Sequence, residues 1–460
     1  MSPGVSDFIH RDHRFMGAEE MRGLFERLWP LPRSITGDGV RRSLDIIGEY
    51  VDLQRTEVPS GTACFDWTVP PEWNIRDAYV ATLDGRRVID FRANNLHVLG
   101  YSAPVDEIVD RETLLAHVYS RPDLPEAIPY RTSYYKERWG FCIAHKDRAA
   151  LTEDRYRVVI DSTLAPGHLT LAEAFLPGER EEELLFTSYL CHPAMANNEL
   201  SGPVALTALY QALAQRPTRK YGVRFLYAPE TIGSITWLSM HHEALRRRVI
   251  GGLVLSMVGI DAPLHFKAGR DPDTLTNRIL PDVLQATGRP HRLLPWDPLG
   301  GADLRQYSSL GINLPMGFLG RAIGGNYREY HTSLDTLDII SMDHMAETVA
   351  TALDLVDSVE ENGVHRNLYP WCEPQLGRRG LYPTLSGPLA TDQVNRVKAL
   401  LGYGDGATDL ITIARHLGCT VMDLAPDRDA LIRCDLLSPD LTRAEPRPSD
   451  PNTPDTGASS

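Results

Sequence analysis

Cysteine is sparse in this chain, long apolar runs are missing and positive charge is in deficit. The six cysteines, Cys64, Cys142, Cys191, Cys372, Cys419 and Cys434, stand far apart with no CxxC pair, which excludes a disulfide scaffold or a zinc ribbon. Reduced thiols and a cytoplasmic location are the expectation. No uncharged apolar run approaches the roughly 20 residues that cross a bilayer, and Met1 to His10 shows no basic patch followed by an apolar stretch. Secretion and membrane insertion are therefore not expected. The 47 Lys+Arg against 61 Asp+Glu give a formal net charge of -14, a field that repels nucleic acid and anionic membranes. Peptides or aminoacyl small molecules fit better as partners, and the acidic surface leaves a homo-oligomer open.

What is present is enough chain for two or three cores, at 460 residues. Residues 18–28 and 40–53 carry apolar side chains at three-to-four spacing and read as amphipathic helices. From about residue 60 to 163, short apolar runs alternate with turn signals such as Leu83-Asp-Gly85, the texture of a β-rich module. From Leu169 the pattern becomes strand, helix, strand, helix, which predicts a mixed, mostly parallel α/β sheet flanked by helices. A shorter helical segment follows, and Asp392 to Asp440 holds eight Asp against five Lys or Arg, a poor match to phosphate. The predicted division is 1–58 with 164–382 as the main domain, 59–163 as an insert, 383–442 as a small helical module and 443–460 as a disordered tail.

In a parallel sheet, ligands bind beyond the carboxyl ends of the strands. His192, Glu230 and Asp261 each follow such an end, and His331 follows the strand-like residues 313–319. Histidines and carboxylates gathered there could hold zinc, with a nearby Glu to take a proton from water. Each residue also has a bland reading: His192 as a structural histidine, Glu230 as a charge at a helix N-terminus, the Thr332-Ser-x-Asp335 run as a cap.

Together, His192 after its strand, Asn198-Glu-Leu-Ser-Gly202, Glu230 before Ile-Gly-Ser, and Tyr330-His331-Thr-Ser-x-Asp335 resemble the co-catalytic zinc aminopeptidases. The chain resembles more closely an aminopeptidase-like family with an inserted N-terminal module and a C-terminal winged helix. Trp29-Pro-Leu-Pro-Arg-Ser-Ile-Thr-Gly37, Phe65-Asp-Trp-Thr-Val-Pro70, Tyr134-Tyr-Lys-Glu-Arg-Trp-Gly140 and Tyr369-Pro-Trp-Cys-Glu-Pro-Gln-Leu-Gly377 carry that likeness. The resemblance implies that His192 and His331 are metal ligands and that Glu230 is the general base. It also places Asn198, Thr231 and Ser256 where the two-zinc enzymes carry acidic ligands, so charge that would neutralise two cations is lost.

Asn198, Glu199 and Asp261 are the candidates for completing the shell, around one zinc ion or two. Asp303, Glu329, Tyr330, Tyr134 and Tyr135 are the candidates for contacting substrate. The implied activity is metal-dependent hydrolysis of a peptide or amide bond, most simply of the aminopeptidase type. An N-acyl or amino-acid-conjugate amidohydrolase, a glutaminyl-cyclase-like enzyme and a catalytically silent ligand-binding or assembly protein are the alternatives.

Overall fold

The computed structural model describes residues 16–381 and 388–442, so the expected tail at 443–460 and the first ten residues lie outside the described residues. The chain divides into two units, 1–356 and 357–460. In the first, an eight-stranded sheet runs in the order Gln54–Pro59, His168–Leu176, Gly222–Ala228, Glu183–Tyr189, Val249–Leu255, Met316–Gly320, Leu264–Lys267, His291–Leu294. The four strands from Gly222–Ala228 to Met316–Gly320 are mutually parallel, and the pairings outward from them begin antiparallel. The mostly parallel sheet expected from the alternating pattern is what forms.

The sequence dictates why these strands are central. Glu183–Tyr189 is buried at every position, as a strand covered on both faces must be. The helix Ser201–Ala214 packs on it, and Ile232–Arg248 packs on the sheet at His168–Leu176. The chain goes from Glu183–Tyr189 to its neighbour on one side, then crosses back to Val249–Leu255 on the other. That reversal opens a crevice at the carboxyl end of Glu183–Tyr189, and His192 follows that end directly. Gly202 lets the next helix sit close: a Cβ there would lie 2.2 Å from Ser188 Oγ and 2.6 Å from the Leu255 carbonyl.

Within the first unit, the stretch expected to be β-rich, 59–163, contains a four-stranded antiparallel sheet in the order Arg87–Asp90, Glu72–Thr82, Arg155–Ala165, Val105–Asp110. Along Arg155–Ala165 buried and open positions alternate through Ser162, so one face packs and the other meets water. The predicted helix over 18–28 spans Ala18–Leu28, whereas the one over 40–53 is Asp38–Ile47. Gly48 caps it, and the apolar Val51 that suggested a longer helix is buried in the turn that leads to Gln54–Pro59.

The second unit pairs Val364–Arg366 with Asp405–Asp409 and packs helices Pro388–Gly402, Leu410–Leu417 and Val421–Arg433. Leu400, Ile411, Ile413, Leu424, Leu431 and Leu437 form its buried interior.

Candidate metal centre and cleft

One cleft of about 440 Å³ opens at the carboxyl ends of the parallel strands. His192, Glu230, Thr231 and His331 line it from the main domain, and Tyr130, Thr132, Tyr134 and Tyr135 line it from the insert. Thr231 (φ +64°) and His331 (φ +56°) are both held in the left-handed region. For non-glycine residues that conformation costs about 1–3 kcal/mol and persists only where the surroundings enforce it. Here the enforcement is visible: the Thr231 N–H donates to Asp303 Oδ1 at 2.8 Å, and the His331 carbonyl accepts from Tyr130 N at 2.8 Å.

His192 is buried and is held from behind. Its Nδ1 lies 2.9 Å from Glu199 Oε2 and 3.2 Å from Cys191 Sγ, while its Nε2 looks toward Glu230 Oε2 at 3.8 Å. Glu199 is fully buried, accepts from the Cys191 N–H, and has Arg33 Nε 3.8 Å away. Arg33 Nε in turn donates to the His192 carbonyl at 3.0 Å. Burial pushes the His192 ring toward neutrality, and the Glu199 carboxylate more than reverses that. Burial also lowers Arg33 to about 10 against the opposing pull of Glu199. Glu199 thus orients His192 by accepting its Nδ1–H, which turns Nε2 toward the cleft, where the ring offers a lone pair once its Nε2 proton is lost.

The second histidine faces the first across Tyr130. The His192 and His331 ring centroids are 5.6 Å apart, and Tyr130 lies 5.0 Å from one and 5.2 Å from the other. His331 is also stacked on Tyr330 at 3.9 Å. Burial, aided by the charge on His192, pushes His331 down to about 3, so its imidazole is neutral at pH 7.

These donors fit one zinc ion better than two. Two imidazoles on one tetrahedral zinc place their centroids roughly 5 Å apart, and two of its ligand atoms stand roughly 3.4 Å apart. The observed 5.6 Å between rings and 3.8 Å from Nε2 to Glu230 are slightly wider than this. The acidic positions of a two-ion centre are otherwise engaged. Ser256 Oγ donates to Tyr189 Oη at 2.6 Å, the Tyr189 hydroxyl donates to the Asn198 carbonyl, and Asn198 Nδ2 is 3.4 Å from the same phenol. A neutral hydroxyl hub therefore joins two of the three positions. Asn198 Oδ1 is a buried acceptor without a donor among the described residues, and Asn198 is not among the residues that line the cleft.

A tighter group exists deeper in: donor atoms of Cys191, His192 and Glu199 all lie within 4.8 Å of one another. Burial and the charges of Glu199 and Glu230 push the Cys191 thiol well up, and Glu199 already accepts two hydrogen bonds. This trio reads as the support of His192.

Other residues singled out from the sequence fall in different places. Asp261 is almost fully exposed and lines a separate cleft with Arg289, Arg321 and His344, where His344 Nε2 is 3.7 Å away. It is not among the residues of the His192 cleft, and it stands six residues beyond the end of its strand. Asp303 is buried beneath Thr231, and burial with the nearby charge of Glu230 pushes it up to about 7. Glu329 does not line the cleft either, and its carbonyl accepts from Thr332. Tyr134 and Tyr135 do line it, with the Tyr134 hydroxyl 2.9 Å from that of Tyr130. Trp139, further along the same stretch, stacks on His117 at 3.7 Å.

Sequence reasoning passed over Tyr130, Arg33 and Arg305. Tyr130 lies only four residues before Tyr134 in an aromatic-rich stretch, which was the available signal. Asp335, read as a cap, is one: it is buried and accepts from the Asn197 N–H at 2.6 Å, the Asn198 N–H at 2.9 Å and the Tyr327 hydroxyl at 2.7 Å.

A model of the DUF4910 family, described as a domain of unknown function, matches residues 22–362, and a winged helix-turn-helix model matches 363–439. The chain belongs to the DUF4910 family. It is 43% identical over 421 residues to a Clostridium acetobutylicum protein named, provisionally, for polysaccharide biosynthesis and for an aminopeptidase-like domain, covering 91% of this chain and 96% of that one. A crystal structure from the same organism, of a chain described provisionally as a peptidase, superposes with a TM-score of 0.86 at 42% identity, covering 91% of this chain and 96% of the other. The zinc aminopeptidase BSAP of Bacillus subtilis shares the fold at a TM-score of 0.56 and 13% identity, over 76% of this chain and 96% of its own. The aminopeptidase-like fold and the C-terminal winged helix expected from the motifs are both present.

Proposed function

We propose that this chain is a metal-dependent hydrolase of a peptide or amide bond, with one zinc ion held by His192 and His331 and with Glu230 as the base. The observation that supports this best is the convergence of two imidazoles and one carboxylate on a single cleft, with Glu199 fixing His192 from the rear. A zinc ion held there would polarise an amide carbonyl and bring a water molecule near its reactive pKa at neutral pH. The chain's own residues do the rest. Glu230, about one-third exposed, reaches the cleft and accepts a proton from water. Tyr130 packs against both imidazoles and limits their rotation.

Elemental analysis of purified wild type beside His192→Ala and His331→Ala is the direct test. Near-stoichiometric zinc in the wild type, lost in both variants, is the expected result. A wild type that takes up no zinc when supplied with it sinks the proposal. Glu230→Gln is expected to keep zinc and to lose about 10²- to 10⁴-fold in turnover of amides, the usual contribution of a positioned base.

A further inference from the structure

The charges around the cleft are unevenly placed. Glu230 is the one carboxylate among the described residues that line it, and the basic side chain on the same wall, Arg305, has no carboxylate in ion-pair range among the described residues. The guanidinium reaches only a neutral group, Thr231 Oγ1, at 3.4 Å. Asp303, two residues earlier, is turned inward to the Thr231 N–H at 2.8 Å. The resemblance to the two-zinc enzymes puts a ligand carboxylate where the Thr231 hydroxyl stands, and Asp303, the carboxylate that feels the Arg305 charge, is buried and committed to the Thr231 N–H, so the guanidinium keeps its face to the cleft free of an ion pair. An incoming ammonium would meet Glu230 alone, whereas an incoming anion would meet a cation on the same wall. The insert's wall has another character: Trp67 is 40% exposed and Tyr135 is 53% exposed, and their rings meet edge to face at 5.7 Å. Large open aromatic surface on the rim of a cleft is suited to a flat apolar group.

We propose that the cleft selects an amide with a free carboxylate on its amine side and a flat apolar acyl group on the other, Arg305 binding the carboxylate and Trp67 with Tyr135 the acyl group. This rests on the amide-hydrolase reading and narrows it to N-acylated amino acids rather than peptides with a free amino terminus. Water adds across the C–N bond, the acyl carbon leaves as a carboxylic acid, the nitrogen takes the proton, and no oxidant or reductant enters.

The test is calorimetric titration of the full chain, at low salt and without added metal. The probes are an N-benzoyl amino acid, its C-terminal carboxamide, its phosphonate analogue and an aminoacyl amide with a free ammonium. The carboxylate is expected to bind the wild type about tenfold more tightly than the carboxamide, the loss of one charge-assisted contact. Arg305→Gln should abolish that ratio and Arg305→Lys should restore part of it. Trp67→Ala should weaken both benzoyl ligands while keeping the ratio. Equal affinity of acid and carboxamide, a ratio that survives Arg305→Gln, no detectable binding of the benzoyl amino acid, or preference for the ammonium or phosphonate probe would each overturn the proposal. The two readings fail separately: this ratio in a protein that never takes up zinc removes the hydrolase reading alone. Zinc-dependent cleavage indifferent to the carboxylate removes the specificity alone.

Discussion

Glu199 touches His192, the Cys191 backbone and the neighbourhood of Arg33, all out of contact with solvent. Replacing it with Gln preserves the shape and removes the charge. Metal affinity at His192 is then expected to fall about 10- to 100-fold, as for other carboxylates that orient a ligating histidine. Stability is expected to fall as well, by about 3 kcal/mol, because Arg33 stays buried with its counter-charge gone. Zinc titration and urea unfolding of Glu199→Gln check the two effects, and a variant indistinguishable from wild type in both would remove Glu199 from this role. The sequence offered Glu199 as a possible ligand. It could not offer Arg33 as its neighbour, because a contact between residues so far apart in the chain leaves no periodic trace.

At the scale of elements, Asp335 closes the N-terminus of the turn that begins at Ala196. The first backbone N–H groups of a helix have no partner within it, and here one carboxylate accepts from three of them. Asp335→Ala is expected to destabilise the protein by about 2 kcal/mol or more, since a cap is lost and buried donors are stranded. Urea unfolding gives the figure, and a loss under about 0.5 kcal/mol would show that water replaces the cap. Glu72 ties the insert to the helix Asp38–Ile47. Its carboxylate accepts from Arg41 and from the His168 N–H, and the Arg41 bond chiefly depresses it to about 2. A carboxyl depressed on folding contributes stability that is complete above its unfolded pKa, near 4.5, and is lost as pH falls toward 2. The gap in melting temperature between wild type and Glu72→Gln should therefore be flat above about pH 5 and close on acidification. A gap that stays constant to pH 2 would place the effect elsewhere.

Strand and helix identities were legible because apolar periodicity is local. Asp261 was misplaced for the complementary reason. Beyond a strand end the chain covers up to about 3.3–3.6 Å per residue in any direction, so only residues close to that end are fixed in place by the sheet. His192 stands three residues past Tyr189 and faces the cleft, whereas Asp261 stands six past Leu255 and does not.

At the scale of the whole molecule, the net charge of -14 and the winged helix pull toward opposite expectations. In a helix-turn-helix the second helix enters the major groove. Here that helix is Val421–Arg433, which carries Asp423, Asp427 and Asp429 against Arg428 and Arg433. Arg428 is already paired with Glu361 and Asp429, and Asp427 with Arg396. Duplex DNA is therefore expected to bind no more tightly than about 10⁻⁴ M at physiological salt, the weak end of non-specific binding. Fluorescence anisotropy between 50 and 200 mM salt tests it, and tight binding with a steep salt slope would reverse the assignment.

The bond from Arg33 to the His192 carbonyl spans 159 positions of sequence. During synthesis Arg33 leaves the ribosome first, with only its local partners, the Leu28 carbonyl and Ser43 Oγ, within reach, while the entire insert is made before His192 emerges. Closing a loop of that length is slow and entropically costly, so contacts of this kind form late. The cleft is therefore expected to be completed late in folding. A partly folded chain, however compact, would lack the arginine behind its histidine and would have no organised site with which to bind metal or cut anything.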